Sequence, residues 1–340
     1  MSSEVLSGIS PKLGQAEGKA LTPSTAMTPE KGTSEKISVI LPFYNREDTL
    51  AESARSVLDQ THQNLVLYLI NDGSTDNSRR VARNLDDSRI VHIDLDPNRG
   101  VSRARNAGLS QASTSLLAFM DSDDVWLPDK LEVQVGYLRG AQAADPDISV
   151  SGCGWRFYGS DIRTKNFVSG PYTRIDVLHN RVAGMGTPTL LIDRSVAVED
   201  ARFDESLPSL EEGDYVMSCL ANDTRIVVVP EVLLLVRRDL ADHLARPQLT
   251  ATAWEAFILK YSKEMADFPK LRSWYSYRAA RDHLINRDIR DALRHAPVAL
   301  ADQRAKRSVH LGLGLLGGRT GLAIAQKLVQ LSKSAPTNKE

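Results

Sequence analysis

The sequence predicts an α/β domain, a mostly parallel sheet flanked by helices, with a helical C-terminal extension. Two observations carry this. Between residues 37 and 120, short apolar stretches alternate four times with stretches of helical periodicity, the pattern of parallel strands with helices on both faces. Clusters of polar residues then fall at the C-terminal ends of those apolar stretches, where ligands bind in such sheets.

Residues 1 to 35 are rich in Ser, Thr, Pro, Gly, Lys and Glu without a period, which predicts a disordered extension. Ile37 to Tyr44 reads as a buried strand, and Asn45 as the cap of a helix with Leu50, Ala54, Val57 and Leu58 on one face. Leu65 to Ile70 is a second strand, running into Asn71-Asp72-Gly73-Ser74-Thr75-Asp76. A helix with Val81 and Leu85 leads to a third, alternating strand, Ile90 to Leu95. Asn98-Arg99-Gly100 then turns the chain into a helix holding Arg103, Arg105 and Asn106. Ser115 to Met120 is a fourth strand and runs straight into Asp121, Asp123 and Asp124. Pro128 suits the first turn of a helix carrying Leu131, Val135 and Leu138.

Composition narrows the function classes. The 340 residues carry a net charge of −1 and no long basic run, so no nucleic-acid partner is expected. Cys153 and Cys219 are far apart and lack metal-ligand spacing, which fits a reduced, cytosolic setting. The N-terminus lacks a basic-then-apolar signal pattern. No apolar run reaches the roughly 18 to 20 residues that span a bilayer. The best, Ile226 to Val236, contains Pro230 and Glu231. A cytoplasmic protein, soluble or peripheral at the inner face of the membrane, is the expectation.

Three carboxylates at the end of a buried strand repel one another and are costly to desolvate; a hard divalent cation offsets that cost. A calcium loop of the EF-hand type is excluded, because Trp126 stands where that loop needs glycine. Asp72, at another strand end, can accept the N3–H of a uracil, and Tyr44 can stack on the base. Gly73 would let the backbone approach a ligand closely, and Arg103 and Arg105 supply permanent charge for base or phosphate contacts. Neither a phosphate-binding P-loop nor a dinucleotide fingerprint occurs. Together these residues describe a nucleotide site.

Five motifs in order resemble glycosyltransferase family 2: Ile37-Ser-Val-Ile-Leu-Pro-Phe-Tyr-Asn45, Ser56-Val-Leu-Asp-Gln-Thr61, Asn71-Asp-Gly-Ser-Thr-Asp76, Asn98-Arg-Gly-Val-Ser-Arg-Ala-Arg-Asn106 and Phe119-Met-Asp-Ser-Asp-Asp124. The resemblance is close over about residues 36 to 130 and extends to about 236. It implies the GT-A fold over 36–240, with a nucleotide half (36–125) and an acceptor half (126–240), followed by a helical region (241–340). It further implies an inverting enzyme using a nucleotide-sugar, most often a UDP-sugar, with Mg²⁺ or Mn²⁺. Pro42, Tyr44, Asn45, Glu47, Asp72, Arg103, Arg105, Asp121 and Ser122 are then the donor contacts, with Asp123 and Asp121 at the metal. Asp72 falls on the uracil contact, and Asp121 with Asp123 on the DxD motif.

The acceptor side must come from later in the chain, as a glycan or lipid-linked saccharide site. Asp147 to Cys153 reads as a strand, Trp155 to Pro171 as a loop or hairpin, and Gly184-Met-Gly-Thr-Pro188 leads into a strand from Thr189 to Asp193. Inverting transfer needs one base for the acceptor hydroxyl. The family places an acidic group before a helix here, and the sequence offers Glu211-Glu212-Gly213-Asp214. Glu212 aligns with the usual catalytic Asp, and Glu211 and Asp214 are the alternatives. Ile226 to Val229 reads as a further strand, and the Arg237-Arg238 pair after it as exposed. His243 follows. Beyond Thr250 helical patterning returns, with Trp254, Phe257, Ile258 and Tyr261 on one stretch. Val309 to Leu331 is apolar and basic but holds five glycines; peripheral membrane contact and packing on the catalytic domain stay equally open. Two rival functions are a glycan-binding relative without catalysis, favoured only by Glu212 in place of Asp, and a sugar nucleotidyltransferase. The latter is disfavoured because Pro42-Phe-Tyr-Asn45 lacks its Gly-rich loop.

Overall fold

The computed structural model describes residues 35–160, 169–179, 182, 185–198, 200–220, 223–237 and 247–300. The expected N-terminal extension, Arg238, His243 and the 309–331 segment lie outside the described residues.

Alternating side chains of the first strand, β1 (Ile37–Phe43), feed two cores. Ile37, Val39, Leu41 and Phe43 pack with Leu50, Ala54 and Val57 of helix α1 (Leu50–Leu58), Ala82 of α2 (Ser78–Arg83) and Leu131 and Val135 of α4 (Lys130–Ala144). Ile40 points the other way, towards Ala104 and Leu109 of α3 (Val101–Gln111) and Tyr215, Val216 and Cys219 of α6 (Glu211–Cys219). The sheet is therefore covered on both faces, as the alternation predicts.

Strand β1 pairs in parallel with β2 (Leu65–Asp72) and β4 (Leu116–Phe119), and β2 with β3 (Ile90–Leu95). Beyond β4 the sheet is mixed. Strand β8 (Leu191–Asp193) runs antiparallel to both β4 and β6 (Ile148–Phe157). Strand β6 pairs in parallel with β9 (Arg225–Val236). The two-residue strands β5 (Val125–Trp126) and β7 (Tyr172–Thr173) add to β9 from other parts of the chain. The spatial order is β3-β2-β1-β4-β8-β6-β9-β5. Strands β1 to β4 thus form the parallel half of the sheet, and their C-terminal ends lie along one edge.

Several local expectations are corrected. The region after Trp155 is strand as far as Phe157, not loop from its start. Strand β9 runs through Pro230 without ending, because its register with β6 shifts there and Gly154 leaves room. A Cβ on Gly154 would lie 2.6 Å from the Glu231 carbonyl oxygen. Pro128 precedes α4, whose cap is Asp129, so it stands just outside the helix.

The C-terminal unit is helical. Helices α7 (Pro247–Lys260) and α8 (Pro269–Ile285) pack through rings of Trp254, Phe257, Tyr261, Trp274 and Tyr275, and α9 (Ile289–Leu300) packs Ala292 and Ala299 with Tyr277, Ala280 and Leu284 of α8. Among the described residues, no helix is long and apolar enough to cross a membrane.

Candidate active site

The turn after β2 is braced from several sides. Asn71 Nδ2 donates to Asp94 Oδ1 (3.0 Å), and Asn71 Oδ1 accepts from the Ser74 amide (2.9 Å). Gly73 has φ +72°, and a Cβ there would lie 2.8 Å from the backbone nitrogen of Asn98. Its missing side chain therefore serves the packing of two backbone segments.

Asp72 is buried, and its carboxylate accepts from the backbone N–H of Gly100 (2.9 Å) and of Arg99 (3.3 Å). Asn98 Nδ2 donates to the Asp72 carbonyl (2.9 Å). The strand-end carboxylate thus holds the turn that starts α3. A carboxylate has about four acceptor positions, so two are left for a ligand. Asp72→Ala would remove the support of that turn as well as the ligand contact, so the mutation is expected to lower thermal stability. Asp72→Asn keeps an acceptor oxygen and is the cleaner probe. Calorimetry is expected to show UDP binding weakened roughly ten- to hundredfold, the equivalent of about 1.5 to 3 kcal/mol for a charge-assisted hydrogen bond. Unchanged affinity in a folded Asp72→Asn chain would assign the base contact elsewhere.

At the end of β1, Pro42 is buried while Tyr44 is 43% exposed, which leaves its ring free to meet a base. Asn45 does not cap a helix; α1 begins after Thr49. With φ +51°, Asn45 instead accepts from the Thr75 amide through Oδ1 (2.9 Å) and donates its own amide to Ser74 Oγ (3.1 Å). Glu47 accepts from the Asn77 amide (2.9 Å) and donates its amide to Asp76 (3.2 Å). Both residues fasten the turn that follows β2.

The two arginines of α3 part company. Arg103 Nη1 donates to the Pro97 carbonyl (3.0 Å). Arg105 is only 3% exposed, and its Nη2 lies 2.9 Å from Asp121 Oδ1 and 3.5 Å from Glu212 Oε1. Its guanidinium carbon sits 5.1 Å from the centre of the Phe203 ring. Arg105 is thus committed to two carboxylates, where the sequence pointed to a base or phosphate contact.

The acidic loop after β4 is equally organised. Ser122 is buried, and its carbonyl accepts from Thr49 Oγ1 (2.8 Å). Asp123 Oδ2 lies 3.5 Å from Arg46 Nη2. Asp124 is buried and accepts from the Arg237 amide (3.0 Å). Burial first, then repulsion from Asp121 and Asp123, pushes the Asp124 carboxyl up to about 8. Asp121 and Asp123 offer hard oxygen donors, a set that suits Mg²⁺ or Mn²⁺. Arg237 is no exposed residue. Its Nε donates to the Asp123 carbonyl (3.1 Å), its guanidinium lies over the Tyr158 ring at 4.4 Å, and it pairs with Glu52. Sequence reasoning missed it because its place depends on the pairing of β9 with the two-residue β5.

Of the acidic trio at the start of α6, Glu212 faces this constellation. Its Oε1 accepts from Thr187 Oγ1 (2.9 Å) and from the Thr187 amide (3.3 Å), beside Arg105. Asp214 is fully buried, and Glu211 is the first helical residue. Thr187, also missed, opens a 3-10 turn (Thr187–Thr189) that residues after the acidic loop hold in place. Trp126 Nε1 donates to the Pro188 carbonyl (3.1 Å), and Gln134 Nε2 to the Thr189 carbonyl (3.0 Å). Lys130, fully buried, donates to Gln134 (2.6 Å) and lies 4.0 Å from the centre of the Trp126 ring. The Thr187-Pro188 pair within Gly184-Met-Gly-Thr-Pro188 was the available signal.

Residues 38–199, nearly half of the chain, match the family model for Glycosyl transferase family 2. One relative is the UDP-Glc:alpha-D-GlcNAc-diphosphoundecaprenol beta-1,3-glucosyltransferase WfgD of Escherichia coli. It is 33% identical over 165 residues, 47% of this chain and 61% of that protein. The chain spans 61% of the length of that relative and 62% of the putative teichuronic acid biosynthesis glycosyltransferase TuaG of Bacillus subtilis, to which it is 33% identical over 168 residues, 46% of this chain. Among solved structures, S. aureus TarS 1-349 in complex with UDP-GlcNAc aligns with TM-score 0.61 at 17% identity, over 87% of this chain and 92% of that one. The mannosyltransferase PcManGT from Pyrobaculum calidifontis, in complex with GDP-Man and Mn2+, aligns with TM-score 0.50 at 18% identity, over 90% and 88%. The fold is GT-A.

Proposed function

We propose that this glycosyl transferase family 2 domain moves a sugar from a UDP-sugar to a hydroxyl of a glycan or lipid-linked acceptor, with inversion at the anomeric carbon. The observation that carries the reading is the shared position of Arg105 Nη2, 2.9 Å from the first DxD carboxylate and 3.5 Å from Glu212. One buried cation thereby brings a candidate base to the edge of the candidate donor site. The Escherichia coli relative WfgD, named for a UDP-Glc donor and a diphosphoundecaprenol-linked acceptor, supports the substrate classes.

In this reading Asp72 receives the uracil and Tyr44 flanks it. Asp121 and Asp123 would hold a divalent cation, which when bound supplies positive charge to the diphosphate. The acceptor oxygen forms its bond to the anomeric carbon from the face opposite the diphosphate. The bond from that carbon to the phosphate oxygen breaks, and its electron pair leaves with UDP. Glu212 takes the hydroxyl proton. Thr187 and Arg105 fix the position of the Glu212 carboxylate. Asp214 is a poor alternative, since its burial keeps it from an acceptor.

The undecaprenol-linked acceptor named for that relative also favours action at the inner face of the cell membrane, in surface polysaccharide synthesis. The test is UDP release from a panel of UDP-sugars with Mn²⁺, with and without a polyprenyl-diphosphate saccharide. Acceptor-stimulated release from at least one donor is the expected result; a chain that binds UDP yet releases none under any combination would sink the proposal.

A further inference from the structure

Away from this site, the C-terminal helices gather two histidines and a carboxylate. His283 of α8 places Nε2 3.0 Å from Glu255 Oε1 of α7, and His295 of α9 places Nε2 2.9 Å from the same oxygen. These ligand atoms all lie within 4.8 Å of one another. The imidazole planes are 9° apart with ring centres 6.0 Å apart, so both rings present the same edge to Glu255.

We infer that Glu255, His283 and His295 form a site for a divalent transition metal of the Zn²⁺ class. Zinc bonds to imidazole nitrogen and carboxylate oxygen run to about 2.0–2.2 Å, which at tetrahedral angles spaces ligand atoms by about 3.3–3.5 Å. The two nitrogen–oxygen spacings reach that with shifts of a few tenths of an ångström, and the two nitrogens lie within 4.8 Å of each other. Two nitrogens with one oxygen select Zn²⁺, Co²⁺ or Ni²⁺ over Mg²⁺ and Ca²⁺, unlike the all-oxygen pair Asp121 and Asp123. Asp288 Oδ2 lies 3.6 Å from His283 Nδ1. That is an ion-pair distance, and a small closing shift would let Asp288 accept the proton on that nitrogen and leave Nε2 for the metal, as the outer carboxylate of a histidine ligand does.

The setting suits entry of an ion from one side. The His283 side chain is 6% exposed and forms the floor, while that of Glu255 is 36% exposed. Water can complete the coordination from the open side. Because each ligand comes from a different helix, a bound ion ties α7, α8 and α9 together and stabilises the folded unit.

The full chain, stripped with chelator and dialysed, is titrated with Zn²⁺ by calorimetry. The wild type and Asp123→Asn are expected to bind one Zn²⁺ that His283→Gln and His295→Gln lose, and Asp288→Asn to bind about ten- to hundredfold more weakly. Zn²⁺ is expected to raise the melting temperature of the wild type and of Asp123→Asn. X-ray absorption of the Zn²⁺-loaded Asp123→Asn chain decides the case even if a histidine variant fails to fold, with two imidazole ligands expected. No Zn²⁺ binding by the wild type, binding unchanged in folded histidine variants, binding lost in Asp123→Asn, or a zinc spectrum without imidazole would each overturn the inference.

Discussion

Glu212→Gln is expected to lower kcat by about 10²- to 10⁴-fold, the range for loss of a general base, while UDP affinity stays nearly unchanged. Glutamine keeps the length of the side chain and an acceptor for Thr187, so its 2.9 Å contact can survive. What it loses is the capacity to take a proton. Glu211 is one residue earlier on α6, so its side chain points about 100° away, and Glu211→Gln should leave kcat within a small factor of wild type. Asp214→Asn alters a buried group and should act on stability instead. Steady-state kinetics on the three variants check this together. Full activity in Glu212→Gln, with loss in either of the others, would move the base to that residue.

Removal of the divalent cation is expected to have the second large effect. Asp121 and Asp123 bring carboxylates to the end of β4, and a diphosphate arriving there without a cation would meet negative charge. A metal that neutralises such charge is worth several kcal/mol, so UDP should bind at least roughly a hundredfold more weakly in EDTA than in Mn²⁺. Asp123→Asn should show most of that loss even with Mn²⁺ present. Calorimetric UDP affinities that are equal with Mn²⁺ and with EDTA would remove the metal from the donor site.

The donor half was legible because its signals are local. The strands β1 to β4 announce themselves by short apolar runs, and each ends in a polar turn that a reader can see without knowing the fold. The errors share a cause in contacts between residues distant in sequence. Arg105 looks like any helix arginine until the fold brings Glu212, 107 positions later, to within 3.5 Å. Asn45 has the chemistry of a helix cap, yet the turn after β2, 30 positions on, is a competing partner for its side chain. Arg237 reads as exposed because β5, which aligns it with Asp124, is two residues long and has no period to detect. The acceptor half was correspondingly less readable: its sheet is mixed, and Thr187 owes its role to buried Trp126 and Gln134 from the far side of the acidic loop.

Single displacement with one base is the central claim, and the stereochemistry of the product tests it most directly. With an α-linked UDP-sugar as donor, proton NMR of the first product formed should show a β-anomer, because the acceptor attacks opposite the diphosphate. An α-anomer formed at the earliest times would contradict the account, since net retention cannot arise from one in-line displacement assisted by Glu212.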